Sequence, residues 1–433
     1  MKEIKIGLIG AGTVGSGVVN LIRKNSGIIS NKTGIKISIK KVADTNQEVK
    51  NKLKLDDKIF TTNAEEIIEY KEIDIIVELI GGINPAKKYI IEGMKEGKHI
   101  VTANKALLSQ YWEEIFSLAN KYNKLIGFEA SVAGGVPIIK SIREALIGNR
   151  ILKIYGILNG TTNFILTKME EEGYEFKQAL EIAQKLGFAE KDPTYDIEGI
   201  DSAHKLQILS SLAFNSNIDF KKIYYEGISN IDLTDILYVN NLGYKIKLLA
   251  IAKIDKEEGV CECRVHPTII PIANPLSSVR KEYNGILVEG DAVGVQIYYG
   301  KGAGSLPTAS AIVSDIVDIS NKILTNQSLN TYQLYKKNNE LKIKEIKNIK
   351  CRYYLRFKTV DKPGVLAKIS NILGQNNISI SSVLQKETGQ KVVPIVMLTH
   401  LALENDIINS LKLIDKLDVV KEKSKFIRIE DGI

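Results

Sequence analysis

"IGLIGAGTVGSGVV", Ile6 to Val19, decides the fold. It sets Gly10, Gly12 and Gly15 in a GxGxxG pattern that follows a β-branched run and opens a helix. Each glycine has its own physical role. Gly10 turns the chain sharply, Gly12 lets the backbone approach a pyrophosphate, and Gly15 lets helix and strand pack closely. The phosphates would rest on free N–H groups at the positive end of the helix dipole. Alone, the pattern is weak, since glycine-rich turns are common. Its place at the head of an alternating segment makes it a dinucleotide site.

That segment runs over residues 1–130. "IKIGLIG", "KISIKKVAD", "IDIIVELIG", "KHIVTAN" and "KLIGFEA" are short β-branched runs, with helical stretches such as "NAEEIIEY" and "PAKKYIIEGMKEG" between them. The alternation predicts an α/β, Rossmann-type doubly wound sheet. The second strand ends at Asp44, 29 residues past Gly15, where about 20 is usual. The stretch "NSGIISNKTG" accounts for the excess. Asp44 can accept from a ribose 2′-hydroxyl, which favours NAD. Lys50, Lys52 and Lys54 can instead hold a 2′-phosphate, so NAD and NADP both stay open.

Residues 131–325 mix long helices ("EFKQALEIAQKLG", "DSAHKLQILSSLAF") with strands ("CECRVHPTIIP", "NGILVEG", "VGVQIYYG"), as in an α+β substrate and dimerisation domain. Residues 326–349 are polar and rich in Asn and Lys, a linker pattern. From 350 to 433 the order βαββαβ predicts a small ferredoxin-like module.

A chain of 433 residues suggests two or three domains. At 44% hydrophobic and 25% charged residues the composition is that of a soluble globular protein. No apolar run reaches membrane-spanning length, and "MKEIKIGLIGAG" enters a strand with no signal-peptide core, so no membrane partner and a cytoplasmic location are expected. The net charge of +8 is lysine scattered along the chain rather than a patch, so no nucleic-acid partner is expected. Cys261 and Cys263, two apart on a predicted strand, are expected to face apart, and no paired histidine suggests zinc.

"GFAEKDPTYDIEGIDSAHK", Gly187 to Lys205, gathers five carboxylates ahead of a lysine. Asp201 and Lys205 lie four apart on a predicted helix and share a face. Spacing alone allows a helix cap beside a surface ion pair, or a lysine steered into a cleft. The pattern Ala183, Gly187, Asp192-Pro193, Asp196, Gly199, Asp201, Lys205 spans 23 positions and resembles homoserine dehydrogenases. "VTANKALLS", "FEASVAGGVP", "NGTTN" and "GKGAGSLPTASA" resemble that family in the same order, and the likeness covers essentially the whole chain.

The resemblance implies an NAD(P)-dependent enzyme that interconverts L-homoserine and L-aspartate 4-semialdehyde on the way to threonine, methionine and isoleucine. It implies Lys205 as proton donor to the carbonyl oxygen, Lys105 between nicotinamide and substrate, and Asp201 in the polar shell. Two lysines close together would lower each other's pKa, which suits proton transfer near neutrality. Glu190 would meet the substrate ammonium, with Asp196 nearby, and Gly160 and Thr161 would meet its carboxylate. Cofactor contacts are implied at Gly10, Gly12, Thr13, Val14, Gly15, Asp44, Thr102, Lys105, Gly187 and Gly304. A monovalent cation such as sodium is implied at the Glu129 side chain and the carbonyls of Val132, Gly134 and Val136. His204 is given no role.

The C-terminal module resembles an ACT domain. Asp361, Gly364 and Asn377 are implied in holding an amino-acid effector, with threonine the candidate, and a homodimer or homotetramer is implied. The rival readings are a non-catalytic amino-acid sensor and a dehydrogenase for another amino-acid aldehyde.

Overall fold

The structure is a computed structural model that describes residues 2–255, 259–325, 341–385 and 391–432. The described residues form two compact, interleaved units. One takes Met1–Gly160, His204–Lys221 and Tyr283–Leu341; the other takes Thr161–Ala203, Lys222–Glu282 and Lys342–Ile433.

In the first unit, β1 (Lys2–Ile9), β2 (Ile35–Ala43), β3 (Phe60–Thr61), β4 (Ile75–Glu78), β5 (His99–Thr102) and β6 (Ile126–Gly127) build a parallel sheet. Their order is β3-β2-β1-β4-β5-β6. Ile6, Leu8, Ile75, Ile76, Val77, Ile100 and Val101 are fully buried, as continuous apolar runs become when helices cover both faces. The helix after the glycine turn spans Thr13–Thr33 and stops where Gly34 adopts the left-handed conformation. "NSGIISNKTG" is therefore the last turns and cap of that helix, and this extra length separates Gly15 from Asp44.

The helix Ser305–Leu324 returns to this core. Its Ala309, Ile312, Ile316 and Ile319 pack in one cluster with Val18, Val19 and Ile22. The nucleotide core thus borrows a helix from far along the chain. Tyr283–Gly290 pairs antiparallel with both Ile151–Ile157 and Gly294–Lys301 in the same unit.

In the second unit, Tyr244–Asp255 and Val260–Pro271 form a long antiparallel hairpin. The C-terminal module follows the expected βαββαβ order: Lys350–Val360, Val365–Gln375, Ile380–Gln385, Val392–Thr399, Glu404–Ile414 and Lys425–Ile429. Its core holds Tyr353, Leu355, Phe357, Ile369, Met397 and Ile407. Lys425–Ile429 also pairs with Val260–Pro271, joining Thr268 to Arg428. Of the linker 326–349, residues 326–340 lie outside the described residues, and Lys342–Ile343 pairs with Val260 and Cys261.

The expectation that Cys261 and Cys263 face apart is corrected. Residues two apart on a strand share a face, both thiols are buried, and a hydrogen bond with Cys263 pulls the Cys261 pKa down. Among the described residues no group of three or more His, Cys, Asp and Glu side chains could hold a metal ion. No described helix is long and apolar enough to cross a membrane.

Candidate active site

The glycine turn is built from backbone. Gly10 has φ +91°, and its N–H donates to the Ala43 carbonyl at 2.8 Å. A methyl group at Gly15 would lie 2.1 Å from the Gly10 carbonyl oxygen, so only glycine lets the helix start this close to β1. Gly12 caps the helix without a side-chain bond, and a Cβ there would meet nothing within 4 Å. The helix start at Thr13 and Val14 thus offers amide groups to an anion. Gly304, at φ +115°, begins the Ser305–Leu324 helix, and the Ser305 hydroxyl donates to the Thr13 carbonyl at 2.7 Å.

Beside Gly10 and Gly12 lies a cavity of about 410 Å³ whose lining includes Asp44, Thr62, Leu79 and Tyr89, with no lysine or arginine among the described lining residues. Asp44 accepts from the Ala11 N–H at 2.7 Å and the Asn46 N–H at 2.8 Å. Each oxygen keeps a further lone pair. Lys50 is engaged by Asp57, while Lys52 and Lys54 are exposed. A larger hollow of about 920 Å³, lined by Ser109–Glu114 and Asn217–Lys221 among others, contains none of the expected site residues.

At the carboxyl end of β5, Thr102 is buried and its hydroxyl donates to Glu78 at 2.7 Å. The other Glu78 oxygen accepts from the Ile80 N–H at 2.8 Å, and burial raises the pKa of this carboxyl. Asn104 caps the helix Lys105–Gln110 by accepting from the Leu107 N–H and donates to the Gly82 carbonyl at 2.6 Å. This places half-buried Lys105 at the first position of its helix. Sequence reading missed Glu78, although an acid inside the apolar run "IDIIVELIG" is itself a signal.

Lys205 lies on the helix Ile200–Phe214, half-buried, and its Nζ donates to the Leu158 carbonyl at 2.6 Å. Its neighbour His204 does have a structural role. It is buried, hydrogen-bonds Ser109, and stacks on Phe220 with centroids 4.0 Å apart. His204 therefore joins this helix to the one that begins at Lys105.

In the second unit, Asp201 is buried in the first turn of its helix. The Thr161 hydroxyl bonds the Phe188 carbonyl at 2.7 Å and Asp196 at 3.1 Å. Gly160, from the first unit, begins the helix Gly160–Glu172. Gly187, at φ +76°, lies two residues past the end of Phe176–Lys185. Glu190 is exposed on the coil that follows. Asp361, Gly364 and Asn377 are all exposed, with Gly364 capping Val365–Gln375.

Glu129 is buried, and its two oxygens accept from the Ile139 and Lys140 N–H groups at 2.9 and 2.8 Å. Burial, and behind it the Asp315 carboxylate, push the Glu129 carboxyl up to about 7. Lys140 Nζ is 3.5 Å from Asp315. The bend continues through buried Val132 and Gly134 to Val136, whose carbonyl accepts from Ile138 at 2.8 Å. Two buried acids, Glu129 and Asp315, thus share this bend with two cations, Lys140 and Arg143, whose charges both act on Asp315.

A glycine turn on a parallel sheet, with lysines on helices that meet through Ser109 and His204, defines a nicotinamide-dinucleotide oxidoreductase. Family models described as "Homoserine dehydrogenase, NAD binding domain", "Homoserine dehydrogenase" and "ACT domain" match residues 10–129, 137–317 and 353–419. The chain is 43% identical to a homoserine dehydrogenase of Neisseria gonorrhoeae, covering 99% of each. It resembles the crystal structure of a homoserine dehydrogenase from Thiobacillus denitrificans with a TM-score of 0.94 and 43% identity, over 100% of this chain and 99% of that one. A hyperthermophilic archaeal homoserine dehydrogenase in complex with NADPH aligns at TM-score 0.63 and 28% identity, covering 74% of this chain and 98% of that one. This chain belongs to the homoserine dehydrogenase family.

Proposed function

We propose that this chain interconverts L-homoserine and L-aspartate 4-semialdehyde, with NAD as its preferred dinucleotide. The observation that carries the reaction is Lys205, held half-buried by the Leu158 carbonyl inside the acidic pattern. The bound dinucleotide supplies or accepts the hydride. When the aldehyde is reduced, Lys205 Nζ gives its proton to the oxygen that becomes the hydroxyl, and in the reverse direction it takes that proton back. Lys105 adds positive charge beside the reacting carbonyl. Asp201, one helical turn before Lys205, steers it. Glu190 meets the substrate ammonium, with Asp196 in the polar shell beside it, and Gly160 and Thr161 meet its carboxylate.

The coenzyme choice rests on Asp44 and on the lack of a cation among the described residues that line the cavity beside it. A 2′-phosphate there would face a carboxylate without an arginine or lysine to offset it. Thr13, Val14, Thr102, Gly187 and Gly304 complete the dinucleotide contacts. Sodium at Glu129, Val132, Gly134 and Val136 would neutralise buried acid and stiffen the bend. The division 1–130, 131–325, 326–349 and 350–433 is the proposed functional one. Asp361, Gly364 and Asn377 belong to a regulatory module answering to threonine, in a cytoplasmic homodimer or homotetramer.

The test is to offer homoserine with NAD⁺ and NADP⁺ separately and follow the reduced-nicotinamide absorbance. Faster turnover per KM with NAD⁺ is expected. Equal or better use of NADP⁺ overturns the coenzyme assignment, and reduction of neither overturns the function.

A further inference from the structure

The C-terminal module is tied by buried charge to the stretch Tyr224–Asp235, and all the residues concerned lie in the second unit. Arg428, 2% exposed, donates to Glu226 at 2.8 Å and to both oxygens of Glu404 at 2.6 Å. The Tyr224 hydroxyl reaches the same Glu226 oxygen at 2.9 Å. Arg356 forks onto Asp235 at 2.5 and 3.0 Å and reaches Asp232 at 2.6 Å. Tyr354 adds a bond to Asp235 at 2.9 Å. Lys425 donates to the Asn230 carbonyl at 2.8 Å and pairs with Asp232 at 2.7 Å. Forked, charge-assisted bonds of this kind hold direction as well as distance.

The other side of the stretch rests on the substrate loop. The Ile228 N–H donates to the Ile197 carbonyl at 2.8 Å. A Cβ at Gly227 would lie 2.3 Å from the Ile197 oxygen and 2.5 Å from Glu198 Cα, so glycine alone permits this approach. The Ser229 hydroxyl bonds the Glu198 carboxylate. Ile197 directly follows Asp196, whose carboxylate accepts from Thr161.

We propose that Tyr224–Asp235 is a strap through which the C-terminal module positions the Asp196–Asp201 substrate loop, with Glu226 and Arg428 as positioning residues. The proposal rests on the homoserine reading, because that reading sets Asp196 at the substrate and Asp201 one helical turn before Lys205. The module is then part of the support of the substrate site. Any ligand that shifts the Lys425–Ile429 strand acts on substrate affinity before it acts on the chemical step.

The test uses the full chain with Glu226→Gln, which keeps the side-chain shape and removes its charge. The KM for homoserine should rise about fivefold, while kcat and the KM for NAD stay within about twofold. Amide hydrogen exchange at Ile228 and across residues 194–199 should quicken. Lys425→Met, at the solvent edge of the strap, should move the same readouts less, and it serves if the first variant does not fold. An unchanged homoserine KM, or unchanged exchange at Ile228, overturns the strap. A wild type that turns over no homoserine sinks the functional assignment instead, and hydrogen exchange then decides the strap alone.

Discussion

The turn at Gly10–Gly15 and the loop at Gly187–Lys205 are built in opposite ways. The turn is built of backbone: its glycines permit a close approach, and the proposed contacts to the dinucleotide are its amide groups. Its shape is set within six residues, and the distant chain that braces it, at Ala43, Asp44 and Ser305, bonds to its backbone. The loop's proposed chemistry lies in side chains, and distant chain holds both those side chains and the loop's backbone. Lys205 is held by Leu158, Asp196 by Thr161, and Ile197 by Ile228. A site made of backbone survives changes elsewhere that a site made of side chains does not.

Removing one side chain should therefore break the loop's chemistry without touching the turn. Lys205→Ala is expected to lose about a thousandfold in kcat while binding NADH as the wild type does, read by nicotinamide fluorescence. A near-normal rate would take Lys205 out of the reaction.

The bend at Glu129 mixes both modes, a side chain held by two amide groups, and pH sharpens the comparison there. Its carboxyl sits at about 7 against an ordinary 4.5. The folded protein thus favours the protonated form, and this stabilisation is complete below 4.5 and lost as pH rises through 7. In sodium-free buffer Glu129→Gln should gain on the wild type by roughly 3 kcal/mol between pH 4.5 and pH 8, measured by denaturant titration. Added sodium should close the gap at pH 8. Parallel pH profiles would show that Glu129 stays charged in the fold.

The smallest effect is expected at the turn. Gly12→Ala adds a methyl that meets no protein atom within 4 Å, so it should crowd only the dinucleotide and weaken NADH about tenfold. Turnover at saturating coenzyme should hold, since the loop is intact. A parallel loss of kcat would show that the two regions are not separable.

Much of the fold is legible in the residues alone. The parallel sheet, the βαββαβ module and the Ile200–Phe214 helix follow from β-branched runs and periodicity, which are local properties. His204 escapes such a reading because its partner Ser109 lies 95 residues away. Glu78 stands out locally as an acid in an apolar run, but its partner Thr102, on another strand, does not show in the sequence. The cysteine pair is different: strand alternation, correctly applied, already sets Cys261 and Cys263 on one face, so the signal was present and local.

By itself the sequence determined the glycine turn, the order of the elements and the acidic pattern that ends at Lys205. Backbone conformation and helix register depend on neighbours a few residues apart, so a string of letters carries them. Only the tertiary structure decided that Ser305–Leu324 packs into the core of the parallel sheet, that no described lining residue of the Asp44 cavity is a cation, and that Tyr224–Asp235 packs against Ile197 and Glu198. Each of these is a matter of residues far apart in the chain, and burial and charge pairing, rather than sequence distance, select which of them meet.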